Sequence, residues 1–427
     1  MSQTSQPGPA HHAGGIAVDA TPVVVHIKHV GQELYDALQA LTEQIPAKSR
    51  SPRELARTLN VHRTLAGRLL NAIRTDDPLA AISRMPRSEG LRMILRAARS
   101  TVSEDAIDRA EAALGAFEQV VHTELGGWDG FDAALTEWLP DARERFELAN
   151  KQLAFKGMAN LMGVRADVQL DTAVYYPDAT GRRCDIALIE GLVNLRRLRP
   201  SARVSIAAHT PSPRAPQPLE YLLEDVPQDQ AGNHYPLLRS FCSSPCPTLE
   251  AIQTGDMTNY VLAGNAIGAN SAVDVFAANV VRGGRPMYRA PSDPPVRPHW
   301  SAGVNLPAKT LLMNILLHED VWPGADPQLL MYDMHVRGLA SPGDPSREFD
   351  RIDAMESIRP LGKGASRFRV SEVGRHVEIV QHVCEKLGWN SDRLRGYRVR
   401  VQYPLLNAQY CIAFDPPPVR ADGAEGR

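Results

Sequence analysis

The sequence predicts an α+β protein, with an all-helical amino-terminal part followed by a larger, mixed, strand-rich α/β part. Three observations predict it. From Gln32 to about Gly163 the apolar residues recur at helical spacing, β-branched residues thin out, and Leu, Ala, Arg and Glu dominate. After Gly163 the period drops to two. Val168, Leu170, Thr172, Val174 and Tyr176 alternate with Asp167, Gln169, Asp171 and Ala173, the pattern of a half-buried strand. Finally, 43% hydrophobic and 22% charged residues are globular proportions, so a chain of 427 residues can bury the cores of two or three domains.

Residues 1–22 are rich in Gly, Pro, Ser, Gln and His without an apolar period and are expected to form a disordered tail, as are 417–427. Leu34, Leu38 and Leu41 make one face of a first helix that Pro46 ends. Further helices are expected over Glu89–Ala98, Glu104–Leu125, Phe131–Leu139 and Asp141–Met162, the last with Phe146, Ala149 and Leu153 at helical spacing. Residues 23–100 read as one domain, 101–163 as a helical connector and 164–416 as the mixed domain. Its strand candidates are Cys184–Ile189, Arg203–Ala208, Val273–Val281, Thr310–His318, Leu329–Val336, Phe368–Val370, Tyr397–Gln402 and Tyr410–Phe414, with one late helix over Glu372–Leu387. Five prolines between Arg285 and His299 require an irregular surface crossing. No repeat of 20 to 50 residues is present.

A formal net charge of -2 excludes whole-molecule attraction to nucleic acid or an anionic membrane, so any such attraction must be local. Five scattered cysteines, an odd number, do not make a disulfide framework and fit a reducing compartment. The first basic residue is Lys28, which is not the pattern of a secretory leader. The uncharged stretch from Met257 to Val273 contains Asn259, Asn265 and Asn270, too polar for a membrane span. A cytoplasmic protein without membrane attachment is expected.

One segment carries a mechanism. Ser51 followed by Pro52 and Glu54 is a capping-box start, so a short helix begins at Pro52 with Leu55, Ala56 and Leu59 on its apolar face. Asn60 tolerates the left-handed backbone of a tight inter-helix turn, Val61 plugs it, and a second helix follows with Leu65, Ala66, Leu69 and Leu70 inward.

Residues 51–71 therefore resemble the helix-turn-helix of repressor-type DNA-binding proteins. Ala56 stands where that motif has a small residue at the helix crossing, Asn60 where the turn usually has Gly, and Ala66 where a larger branched residue is common. The resemblance covers the motif alone. It implies that the second helix enters the major groove of double-stranded DNA and presents His62, Arg63, Thr64, Gly67 and Arg68 to base edges and phosphates, with Gly67 allowing close backbone approach. Ser51 and Arg53, with Lys48 and Arg50, are phosphate candidates.

Local charge agrees with this. From Lys48 to Arg99 twelve basic side chains face four acidic ones, a net of +8, whereas Thr101–Asn150 carries a net of -9. A basic block beside an acidic one would orient an encounter with a duplex. The expected function is a sequence-specific DNA-binding transcriptional regulator, a homodimer whose carboxy-terminal domain senses a small-molecule effector or oligomerises. The alternative is an interaction or structural protein whose helical half binds a protein, since basic helices are often only solvated and helix-turn-helix geometry also occurs as plain packing.

Other constellations fail. Cys242 and Cys246 with His234 lack a second ligand pair and are bracketed by Pro245 and Pro247, so no metal is expected. His318, Glu319 and Asp320 with Asp333 and His335 look like a catalytic cluster, but a hairpin of Thr310–His318 with Leu329–Val336 would hold the imidazoles on the order of 20 Å apart. Gly362–Ser366 imitates a phosphate loop without its earlier glycine or its Gly-Lys-Ser order. No enzyme and no cofactor are expected.

Overall fold

The computed structural model describes residues 22–46, 51–209, 219–221, 235–289 and 297–418, and structural statements concern these residues. The fold is α+β, and the chain divides into two compact units between Glu147 and Leu148.

The first unit is helical: α1 (Pro22–Glu43), α2 (Pro52–Thr58), α3 (Arg63–Ile73), α4 (Pro78–Arg84), α5 (Ser88–Ala98), α6 (Glu104–Leu125), α7 (Trp128–Trp138) and the start of α8 (Pro140–Met162). Helix α1 begins ten residues earlier than Gln32, because Ile27 and Val30 continue the buried stripe of Leu34, Leu38 and Leu41. The buried Ile27 and Val30 anchor this end of the helix despite the poor helix propensity of the Val23–Val25 run, of which Val25 is exposed.

Helix α6 starts at Ser103, whose side chain accepts from the Ala106 amide, and ends on Gly126 at φ 71°. Its Ile107, Ala110, Leu114, Phe117 and Val121 share one core with α1, α3, α4 and α5. The segment read as a connector from residue 101 is thus, as far as α7, a structural half of the helical unit. A stripe of period 3.6 shows that a helix buries one face but not which partner covers it. In α8 the expected face is also wrong: Leu153 is 65% exposed, whereas Ala142, Phe155 and Ala159 are buried. This helix has apolar residues on more than one side, so periodicity could not choose.

The second unit is built on a seven-stranded sheet. Strands β1 (Val164–Pro177), β2 (Arg183–Arg197), β3 (Ser205–His209), β4 (Leu219–Tyr221), β5 (Leu249–Thr254), β6 (Met257–Leu262), β7 (Val273–Pro286), β8 (His299–Gly303), β9 (Ala308–His318), β10 (Gln328–Asp333), β11 (Arg351–Ile352), β12 (Arg359–Lys363), β13 (Leu394–Gln402) and β14 (Ala408–Ala413) accompany helix α9 (His376–Leu387). The large sheet has the order β12-β13-β9-β1-β2-β7-β4; a four-stranded sheet runs β11-β10-β14-β8 and a three-stranded one β3-β6-β5. Among the described strands β1 pairs with β9 in parallel and the other pairs are antiparallel, with one isolated parallel bridge between Arg289 and Pro418.

Helix α9 covers one face of the large sheet through Ile379, Val380 and Val383, which pack with Leu170, Val174, Ile189 and Leu316. The four-stranded sheet covers the other, where Tyr410, Ile412 and Phe414 meet Ala173, Tyr175, Met313 and Trp322. Strand β1 alternates between buried and half-buried residues from Val164 to Gln169, as expected, and is buried on both faces from Leu170 to Tyr175, where Asp171 is only 7% exposed. There the strand's alternation marks two interior faces of different polarity.

The expected hairpin of Thr310–His318 with Leu329–Val336 does not exist. Strand β9 lies between β1 and β13, and β10 pairs with β14 and β11 in the other sheet. Residues Ala365–Phe368 form a 3-10 turn in place of the start of a strand. Two strand glycines lie under phenylalanine rings: a Cβ on Gly191 would come 2.5 Å from the Phe276 ring, and one on Gly396 2.8 Å from Phe368.

Candidate nucleic-acid interface

The segment 51–71 folds as two helices around a left-handed turn. The Ser51 hydroxyl accepts from the Glu54 amide at 3.2 Å and donates to the Glu54 carboxylate at 2.8 Å. Pro52 occupies the first turn of α2. Asn60 has φ 52°, the conformation that separates the helices. His62 caps α3, its Nδ1 accepting from the Thr64 amide at 3.3 Å. Leu55, Leu59, Ala66, Leu69 and Leu70 are buried, with Ala56, Val61 and Leu65 packed against them.

The outer side of α3 is open: His62, Arg63, Thr64 and Arg68 are exposed, as is Arg53 on α2. Two of the expected contacts differ. Ser51 is half-buried and its single hydroxyl proton is committed to Glu54, so it caps a helix before it can donate to anything else. Gly67 turns toward α2; a Cβ there would meet Pro52 at 3.7 Å, an ordinary contact, so Gly67 lies on the packing side and not on the outer edge. Lys48 and Arg50 lie outside the described residues.

The basic block is sorted into two sets. Arg84, Arg87, Arg92 and Arg99 pair with Asp141, Asp132, Glu118 and Glu111, drawn from the acidic block, and Arg96 pairs with Glu89. The acidic segment therefore neutralises much of the field from α4 and α5 and does not stand beside it as a separate pole. Arg53, Arg57, Arg63 and Arg68 have no carboxylate partner among the described residues, and all four belong to α2 and α3. Arg68 also borders a cavity of about 310 Å³ with Arg84, Arg87 and Arg145 at its rim and Phe117 and Phe131 in its wall.

Among the described residues, no group of three His, Cys, Asp or Glu side chains is placed to hold a metal. His234 lies outside them, and Cys242 is turned to the backbone, its sulfur accepting from the Phe276 amide at 3.3 Å. His318 is buried, with Asp320 donating its amide to Nδ1 at 3.3 Å. Glu319 is held at a pKa of about 2 by Lys363 and then Arg393, which ties up the lysine of the Gly362–Ser366 segment. No described helix is long and apolar enough to cross a membrane.

Sequence reasoning missed a second polar group. Asp171 on β1 stands directly opposite Glu190 on β2, and both face a cavity between the large sheet and β8. The Tyr235 hydroxyl donates to Glu190 at 2.9 Å, and Gln169 donates to Asp171 at 3.3 Å and to the Gly303 carbonyl at 3.0 Å. Burial first, and then the neighbouring Glu190, push the Asp171 carboxyl well above the usual carboxylate range; burial also raises Glu190, against the hydrogen bond from Tyr235. The signal was the acidic residue within each apolar run, at positions 171 and 190.

No protein-family model and no curated protein matches the sequence. A solved structure described as a putative protease from Parabacteroides distasonis aligns with 60% of this chain at 7% identity and a TM-score of 0.27, and the chain spans 41% of that protein. A likeness so distant carries no argument about fold or chemistry.

Proposed function

We propose that the protein is a sequence-specific DNA-binding regulator whose α2–α3 pair is the reading head. The observation that supports this is the sorting of arginines: those on α4 and α5 are neutralised within the helical unit, and those on α2 and α3 project without a carboxylate partner among the described residues. An unneutralised basic edge on an exposed second helix, with a left-handed turn before it, fits a major groove and its flanking phosphates. In this reading Arg63, Thr64 and Arg68 meet base edges or phosphates, His62 sits at the helix start, and Arg53 and Arg57 contact the backbone of the duplex.

One such motif covers too little DNA for tight binding, so the working form is a homodimer on paired half-sites in the cytoplasm. The strand-rich unit is the place for effector sensing. A second reading, that the helical half binds a protein, draws on Val25 of α1 and Met93 of α5, large apolar side chains that the helical unit leaves exposed. Selection of bound sequences from random duplexes at physiological salt separates the two. Enrichment of one motif, lost in Arg63→Ala with Arg68→Ala, is the expected outcome; an unenriched pool sinks the DNA reading.

A further inference from the structure

The opposed carboxyls of Asp171 and Glu190 are out of place in a sheet core. Directly opposed like charges destabilise an antiparallel pair, and a buried charge without a counter-ion is costly. On that face of β1 and β2 the side chains on one side of the pair, Ala173, Tyr175 and Leu188, are apolar and packed, whereas Gln169 on the other side is polar and bonded to Asp171. Here the packing stops, leaving a cavity of about 260 Å³. No Lys, Arg or His is among the described residues that line it.

Asp171 accepts from Gln169 on Oδ2 and Glu190 from Tyr235 on Oε2, and by ordinary hydrogen-bond geometry Oδ1 of Asp171 and Oε1 of Glu190 have no partner among the described residues, Trp300 being the further donor close to Asp171. The rings of Tyr235 and Trp300 add aromatic wall. The indole N–H of Trp300 is buried without a partner of ordinary geometry, and it favours the charged form of Asp171. Two acceptor oxygens, aromatic faces and no Lys, Arg or His among the described lining residues make a receptor for positive charge carrying N–H donors.

We propose that this cavity binds a small organic ammonium ion, an aliphatic amine or diamine, between Asp171 and Glu190. The volume is below the range of roughly 300–1,000 Å³ typical of drug-sized ligands, which limits the occupant to a short chain. The ammonium supplies N–H donors to these two oxygens and neutralises the opposed charges. Protons held by the pair in the empty cavity go to solvent on binding, so binding tightens as pH rises. The titratable groups facing the pair are Tyr235 and, beside it, Tyr260. This inference stands apart from the DNA reading.

The test is isothermal titration of the full chain with putrescine, methylammonium, tetramethylammonium and magnesium chloride, in two buffers of different ionisation enthalpy. One putrescine or methylammonium per chain, with proton release, is expected, and tetramethylammonium should bind more weakly because it has no N–H. Glu190→Gln and, separately, Asp171→Asn should weaken binding about tenfold or more, each by removing one charge. Both remove charge repulsion and should fold, which circular dichroism verifies. No binding of either amine, binding unchanged in both variants, binding that weakens as pH rises, or binding of magnesium alone would each overturn the proposal.

Discussion

The Thr172 hydroxyl lies 3.1 Å from Nε2 of His376, beneath helix α9 in the centre of the strand-rich unit. His376 Nδ1 is 2.9 Å from the Phe368 carbonyl, an acceptor only, so the proton is on Nδ1 and Nε2 accepts from Thr172. Thr172 in turn accepts from Asn314 at 2.9 Å, and Arg398 donates to Asn314 at 2.6 Å. One neutral tautomer satisfies the whole chain, and burial pushes the His376 pKa down to about 4.

Stability should therefore depend on acid in a defined window. The unfolded imidazole takes a proton near its ordinary pKa, whereas the folded one resists until about 4. The contribution is complete above the unfolded value and is lost as pH falls from there to about 4, at up to ~1.4 kcal/mol per pH unit. Urea unfolding of the protein and of His376→Gln across this range checks it; the variant should show a shallower fall.

Gly67 is a helix-interior glycine with ordinary space for a methyl group beside Pro52. Gly67→Ala should raise stability by up to ~1 kcal/mol and leave DNA affinity unchanged. Chemical denaturation and a gel shift measure the two quantities, and a loss of affinity would restore Gly67 to the contact surface.

Gly130 is the opposite case. A Cβ there would lie 1.9 Å from the Leu125 carbonyl oxygen, which is backbone and cannot swing aside. Gly130→Ala should cost about 1–3 kcal/mol by forcing α6 and α7 apart, seen as a lower midpoint in denaturation.

The capping box and the turn are separable. Ser51→Ala should cost ~1 kcal/mol through the lost cap. Asn60→Val, at φ 52°, should cost about 1–2 kcal/mol, and Asn60→Gly should be tolerated. Thermal unfolding of the three variants gives the ranking; an undisturbed Asn60→Val would mean that the turn is not held left-handed.

Local chemistry was legible in the sequence wherever neighbours in the chain decide the structure. Ser51, Glu54 and Asn60 cap and turn as their side chains require, and Leu34, Leu38 and Leu41 bury as their spacing requires. Pairing at a distance was not. Nothing near Thr310 says that β9 runs beside β1, and nothing near Asp171 says that a second sheet covers it. The acidic block from Glu104 read as a repelling pole because charge counting ignores partners; folding sets Glu111, Glu118 and Asp132 against arginines. The Asp171–Glu190 pair was invisible for the same reason, its two members joined only by the register of β1 with β2.

The central claim is that the unneutralised arginines of α2 and α3 bind a duplex. Its most direct test is fluorescence anisotropy of the full chain on its selected duplex, repeated across a salt series with Arg63→Ala, Arg68→Ala and Arg92→Ala. The first two should each weaken binding, and a phosphate-contacting arginine should lower the salt slope by about 1, whereas Arg92, already paired with Glu118, should change neither. Equal effects from all three, or a salt slope indifferent to Arg63 and Arg68, would contradict the account.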